Sequence, residues 1–174
     1  MKRFPVLAAA LALFAAGCGS SSTSPSTTAP TKPTFTAALS PANEVPPITG
    51  AEATGSGTAT ITFDTTTNAA GQITAATATF VVNVSGFPAN TPLNIAHIHT
   101  GGSGVAGGVL VNTGLTAGNN STNAAGSGTF TVAGINMTAD VASAILANPG
   151  GFYFNVHSTA NPGGVARGQL SRVQ

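Results

Sequence analysis

From residue 34 onward, apolar and polar side chains alternate one by one along stretch after stretch. In Gly57–Asp64, Ala59, Ile61 and Phe63 fall on one side and Thr58, Thr60, Thr62 and Asp64 on the other. In Ala76–Val84, the residues Ala76, Ala78, Phe80, Val82 and Val84 share a side. A period of two sends successive side chains to opposite faces of a pleated strand, so each stretch predicts a strand with one buried face. The connection Thr65–Gly71 is rich in Thr, Asn and Gly, as a hairpin loop requires. Further strands are predicted at Phe35–Ser40, Leu93–His99, Val109–Asn112, Gly128–Ala133, Phe152–His157 and Val165–Leu170. Short strands parted by turn signals every ten or so residues predict a sandwich or a barrel. Phe154 lies in step with Phe152 and Val156 in the most apolar strand, and is predicted to be core.

One segment departs from this period. Thr138 is placed to cap a helix, Asp140 complements the positive end of the helix dipole, and Val141, Ala144 and Ile145 form an apolar stripe. Asn148-Pro149-Gly150-Gly151 stops it, so a short helix is predicted near 138–147, covering one end of the sandwich. A weak repeat overlies the strands. His99 and His157 each end a strand, and each is followed by a Gly-rich turn and a return strand, reaching Leu110 and Leu170. The two histidine ends are thereby expected at similar positions on the sheets.

Composition removes whole classes of function. Charged residues are 5% of the chain, against about 25% in ordinary domains. Charged disordered tails and coiled coils need far more Glu, Lys and Arg. Five Lys/Arg against four Asp/Glu offer no basic patch for nucleic acid. The single cysteine excludes an internal disulfide framework and any Cys-rich zinc module. That cysteine has a place of its own. Lys2 and Arg3 precede an apolar run from Phe4 to Ala16, the plan of a secretory signal. The run is too short for a bilayer core, which takes about 20 residues.

Ala15-Ala16-Gly17-Cys18 resembles the bacterial lipobox, although Leu is commoner where Ala15 stands. That likeness implies a leader over 1–17, lipid on Cys18, and an exported lipoprotein. With Gly19 next, it implies an outer-membrane or cell-surface address, facing periplasm or exterior. After the leader, Lys32, Arg167 and Arg172 face Glu44, Glu52, Asp64 and Asp140, a formal charge of −1. Membrane attachment then rests on acyl chains, not on attraction to lipid heads. Residues 18–33, a lipidated Cys and a Ser/Thr/Pro tether, cannot form a core, and residues 34–174 suit one domain.

Four segments carry a family resemblance. Leu39–Pro47 (LSPANEVPP), Ala53–Asp64 (ATGSGTATITFD), Ala96–Gly101 (AHIHTG) and Phe152–Leu170 (FYFNVHSTANPGGVARGQL) resemble the CHRD domain, named for chordin and found in many bacterial secreted proteins. The resemblance implies an all-β fold: an Ig-like or Greek-key antiparallel sandwich or barrel of about eight strands with one short helix. Val165 stands where the family usually has an acid, which implies that Arg167 lacks a close acidic partner. The resemblance implies no established enzymatic activity.

Candidate chemistry is sparse. His97 and His99, two apart, leave one face of a strand together with Leu93 and Ile95, and His157 shares its face with Tyr153 and Asn155. With three imidazoles, Cu²⁺ or Zn²⁺ is the alternative ligand, water completing the shell, and affinity would fall as pH drops through about 6.5. The pair also resembles copper ligands of Cu/Zn superoxide dismutase, but no further His or bridging ligand follows. The differing apolar company of the two faces favours the plainer expectation, three hydrogen-bonded histidines that pin strand ends. Glu44, in Asn43–Pro47, reads as a solvated acid in a rigid turn, with ligand contact or pairing to Arg167 or His as the alternative. Glu44, Asn155 and Arg167 complete the candidate binding residues. No catalytic residue is expected: Cys18 is taken by lipid, and no Gly-x-Ser-x-Gly elbow occurs. The expected function is a non-enzymatic, membrane-anchored binding or structural module without a resident cofactor. Its partner would be an extracytoplasmic protein, glycan or surface, with Cu/Zn binding and surface adhesion or matrix assembly as rivals.

Overall fold

The computed structural model describes residue 1, residues 31–116, 118 and 120–174. The expected leader and Cys18 lie outside the described residues. Among the described residues, nine strands and one α-helix follow Thr31. Strands β1 (Thr34–Leu39), β2 (Ser56–Thr67) and β3 (Ile73–Ser85) form an antiparallel meander. The long β2–β3 hairpin closes through 68–72, later than expected, because Thr65–Thr67 still pair across a bulge. Strands β4 (Leu93–Thr100) and β5 (Val109–Asn112) form a hairpin in a second sheet. The chain then returns as β6 (Gly128–Met137), which pairs with β3 and runs four residues beyond its predicted end. Helix α1 (Ala139–Ala147) leads back to a second hairpin, β7 (Phe152–Ser158) and β8 (Ala166–Gln169). The sheets have the orders β6-β3-β2-β1-β9, where β9 is the last strand, Ser171–Arg172, and β5-β4-β7-β8.

The expected strand Val165–Leu170 forms as β8, one residue shorter at each end. Leu170 is buried in the core, and beyond it Ser171–Arg172 (β9) pair with β1 in the other sheet. The chain changes sheets at this residue. The seam between sheets is closed by an isolated bridge, Ser40 N–H donating to Arg167 O at 3.1 Å and Arg167 N–H to Ser40 O at 3.3 Å.

Between the sheets lie the alternating apolar residues: Phe35, Ile61, Phe63, Phe80 and Val82 from one side, Ala96, Ile98, Phe154 and Val156 from the other. Phe80 and Phe154 stack across the interface with centroids 5.7 Å apart. Helix α1 is capped as expected, Thr138 Oγ1 accepting from Val141 N–H at 3.3 Å. Its buried face is Ala142 and Ile145, with Val141 and Leu146 partly buried, whereas Ala144 is exposed. The stripe is thus rotated from the expected one, and it packs beside β3.

Candidate metal centre

Ala96 and Ile98 point into the core, so His97 and His99 leave the outer face of the second sheet. Leu93 does not accompany them. The β4–β7 register shifts between Leu93 and Ile95, and this irregularity turns Leu93 into the core. On β7, Phe154 and Val156 are core, which sends Tyr153, Asn155 and His157 outward. The register pairs Ile95 with His157, His97 with Asn155 and His99 with Tyr153. Both sets of outward residues therefore share one face, and the differing company of the two strands does not separate them.

The register also explains the repeat. A half-turn about the His97–Asn155 pair exchanges the antiparallel strands and carries His99 onto His157. Both histidines are wired alike. His99 Nδ1 lies 3.0 Å from Gly107 O, in the loop after β4, and His157 Nδ1 lies 2.7 Å from Pro162 O, in the loop after β7. A carbonyl only accepts, so each Nδ1 carries the proton and each Nε2 presents a lone pair. His99 Nε2 is buried and has no hydrogen-bond partner among the described residues. His157 Nε2 accepts from His97 Nδ1–H at 3.3 Å and faces a second acceptor, Asn155 Oδ1, at 3.1 Å. The Asn155 amide N–H is turned toward Glu44, which fixes this orientation.

One nitrogen of each imidazole lies within 4.8 Å of those of the other two. A tetrahedral ion bound at about 2.0–2.1 Å sets its nitrogens about 3.3–3.4 Å apart. His97 and His157 already meet that spacing. Charge favours the same use. Burial, and then the charges of His157 and His99, hold His97 down at about 4; burial likewise lowers His157, against the bond to Pro162 O. Both rings are neutral at pH 7, as ligands must be.

Loops make this face an inside. Gly107 N–H donates to the Tyr153 hydroxyl at 3.2 Å, and the Tyr153 ring stacks on His99 with centroids 4.9 Å apart. Arg167 lies over Tyr153, 4.4 Å from the ring centroid. Its Nε donates to Asn43 O and its Nη1 to Val105 O at 3.0 Å. Among the described residues the ion pair is Lys32–Asp64, at 2.6 Å and exposed, while Glu44 lies near enough to feel the Arg167 charge. Glu44 corrects its expectation of a solvated acid. It is 7% exposed, faces Asn155, and desolvation raises its pKa to about 7 despite the nearby Arg167 charge. Turn Pro41–Asn43 and the loop after β7 close over it, and Gly164 leaves room: a Cβ there would lie 2.7 Å from Asn155 Nδ2 and 2.8 Å from Glu44 Oε1. His97, the least buried of the three, lines a cleft of about 400 Å³ with Ile95, Asn112 and Leu115. Glu52 had no signal in the sequence, yet it is buried and bonded to the loop after β7.

Two tests arise here. A Cβ on Gly107 would sit 1.6 Å from Thr100 O, so Gly107→Ala must move the backbone that holds His99 and Tyr153. The expected result is a loss of about 1–3 kcal/mol in urea unfolding, for the orphaned His99 N–H. An unchanged midpoint would show that the loop carries none of this order. The second test uses pH. The unfolded histidines take up protons below about 6.5, while folded His97 stays neutral to about 4 and His157 is lowered too. Stability therefore falls as pH drops through that window. Glu44 acts oppositely, binding its proton near 7 when folded and 4.5 when unfolded. In Glu44→Gln, the urea midpoint is expected to fall more steeply from pH 6.5 to 4 than in the parent protein. Equal slopes would contradict it.

Two antiparallel sheets enclosing an apolar core, with a buried polar layer and three convergent imidazoles on one outer face, define an all-β binding-type domain. The CHRD domain family model matches residues 35–170, and the chain belongs to that family. No curated protein matches it.

Proposed function

We propose that this CHRD domain is a binding module, not an enzyme, and that its ligand is a copper or zinc ion held by His97, His99 and His157. The observation that carries this reading is the buried, unpartnered Nε2 of His99, turned by Gly107 O toward the other two histidines. A buried acceptor left without a donor costs about 1–3 kcal/mol, and a metal ion removes that cost. Imidazole nitrogens suit both Cu²⁺ and Zn²⁺. Because His97 is held at about 4, protons compete weakly for that ligand. The test is metal analysis of untagged protein, with thermal unfolding in the presence and absence of Zn²⁺. About one equivalent of metal and a raised melting temperature support the reading; neither one appearing refutes it.

We also propose that the domain is exported and lipid-anchored through Cys18, which the Gly17-Cys18 pair after the apolar run supports. Cys18→Ala is expected to leave the membrane fraction or keep its leader. A correctly cleaved variant that still sediments with membranes would disprove the anchor.

A further inference from the structure

The loop that orients His157 is itself held from a distant part of the chain. Ala51–Thr54 form a single 3-10 turn between β1 and β2, and Glu52 is the buried residue of that turn. Its Oε2 accepts from Ser158 Oγ–H at 2.7 Å and from the Asn161 amide. Ser158 Oγ in turn accepts from Asn161 N–H at 3.0 Å, and Asn161 O accepts from Gly164 N–H at 3.2 Å. Pro162, within this loop, presents the carbonyl that takes the His157 Nδ1 proton. Ser158 is fully buried and adjoins His157 in the strand. One carboxylate oxygen thus ties both ends of the segment 158–161. The loop after β4, which serves His99 in the same manner, contains no acid, and the side chains that bond to it are His99, Tyr153, Arg167 and Gln169.

We propose that Glu52 is a positioning residue for the metal centre: it fixes the loop 158–164 so that Pro162 O selects the Nδ1–H tautomer of His157 and keeps the lone pair on Nε2, toward His97, for a metal ion. This deepens the metal reading above and depends on it for the affinity, though not for the tautomer. A ligand histidine whose other nitrogen is bonded to an acceptor binds metal in the right orientation and with greater basicity. Glu52 reaches the ion through two intermediaries, which distinguishes it from the ligands. Its removal weakens binding without removing a ligand atom.

The experiment is a competition titration of Zn²⁺ against a chelator, on the full chain and on Glu52→Ala, Glu52→Gln, Asn161→Ala and a core control, Ile61→Val. Side-chain ¹⁵N spectra of the metal-free proteins report the His157 tautomer. Glu52→Ala is expected to bind Zn²⁺ about 10–100-fold more weakly and to show a mixed His157 tautomer. Asn161→Ala, which keeps Glu52 and one of its two bonds, is expected to fall between it and the parent. Glu52→Gln retains an acceptor oxygen of the same reach and is expected to restore both readouts. Ile61→Val lowers stability in the other sheet and is expected to leave both unchanged. The proposal is overturned if Glu52→Ala keeps a single Nδ1–H tautomer, if its affinity equals that of the parent, or if Ile61→Val weakens binding as much. If the parent protein takes up no Zn²⁺, the metal reading fails, and the ¹⁵N spectra alone decide whether Glu52 governs His157. Should Glu52→Ala not fold, Asn161→Ala decides by the same two readouts.

Discussion

Phe154→Ala is expected to destabilise the domain by about 3–5 kcal/mol, the cost of removing a large buried ring and leaving a cavity. The side chain is fully buried in the middle of β7. It stacks on Phe80 from the opposite sheet, so the substitution empties the space between the layers and cannot be relieved by one sheet alone. Interiors are packed as densely as organic crystals, and two hydrogen-bonded sheets have little freedom to close. Equilibrium urea unfolding measures the loss. A value below about 1 kcal/mol would mean that the outward and inward faces of β7 have been exchanged, and with them the assignment of His157.

The second large effect is expected in the histidines. Zn²⁺ at a hundred times its dissociation constant should stabilise the parent protein by about 2.7 kcal/mol, since it binds the folded state alone. His97→Ala, His99→Ala and His157→Ala should each abolish that gain. The metal-free variants should differ among themselves. His99→Ala and His157→Ala break bonds to Gly107 O and Pro162 O and lose about 1–3 kcal/mol. His97→Ala removes only a bond to another imidazole and a half-buried ring, and should lose least. Thermal melts of four proteins with and without Zn²⁺ contain the whole comparison. Metal stabilisation that survives in any of the three variants would show that the ion sits elsewhere.

Alternation made most of the sheets legible, because parity along a strand is a local property. Phe154, Phe80, Ile61 and Phe63 are core, as their period of two requires. The helix was legible for a different reason: a cap, an acid in the first turn and Pro-Gly-Gly beyond its end are neighbours in the chain. Its buried stripe was misplaced because the position of α1 against β3, not its own pattern, decides which side is covered. Parity between strands is not local. Nothing in Leu93–Thr100 announces the irregularity after Leu93, and only the pairing of His97 with Asn155 brings both histidine sets to one face. The repeat of strand, His and Gly-rich turn did foreshadow that symmetry. Glu44 and Glu52 were opaque for the same reason at longer range. Their burial depends on the segment 158–164, more than a hundred residues on, which closes over one and bonds the other. Short, Thr-rich and Gly-rich stretches carry no mark of such partners.

The closure of β1 on β9 has a mechanical meaning. Thr34 N–H donates to Gln174 O at 3.1 Å, and Val173 N–H to Thr34 O at 2.8 Å, so both ends of the domain meet in one corner, at the edge of the sheet that does not carry the histidines. A pull applied at Thr34 is borne first by these few bonds. Because Thr34 is the terminal rung of the ladders it joins, a pull directed across the sheet opens them one after another, like a zip. The His97 face lies on the other layer, and its loops carry none of that load until β1 has peeled from β2 and the bridge at Ser40–Arg167 is reached. Tension along the chain therefore spends itself at the corner before it disturbs the imidazoles.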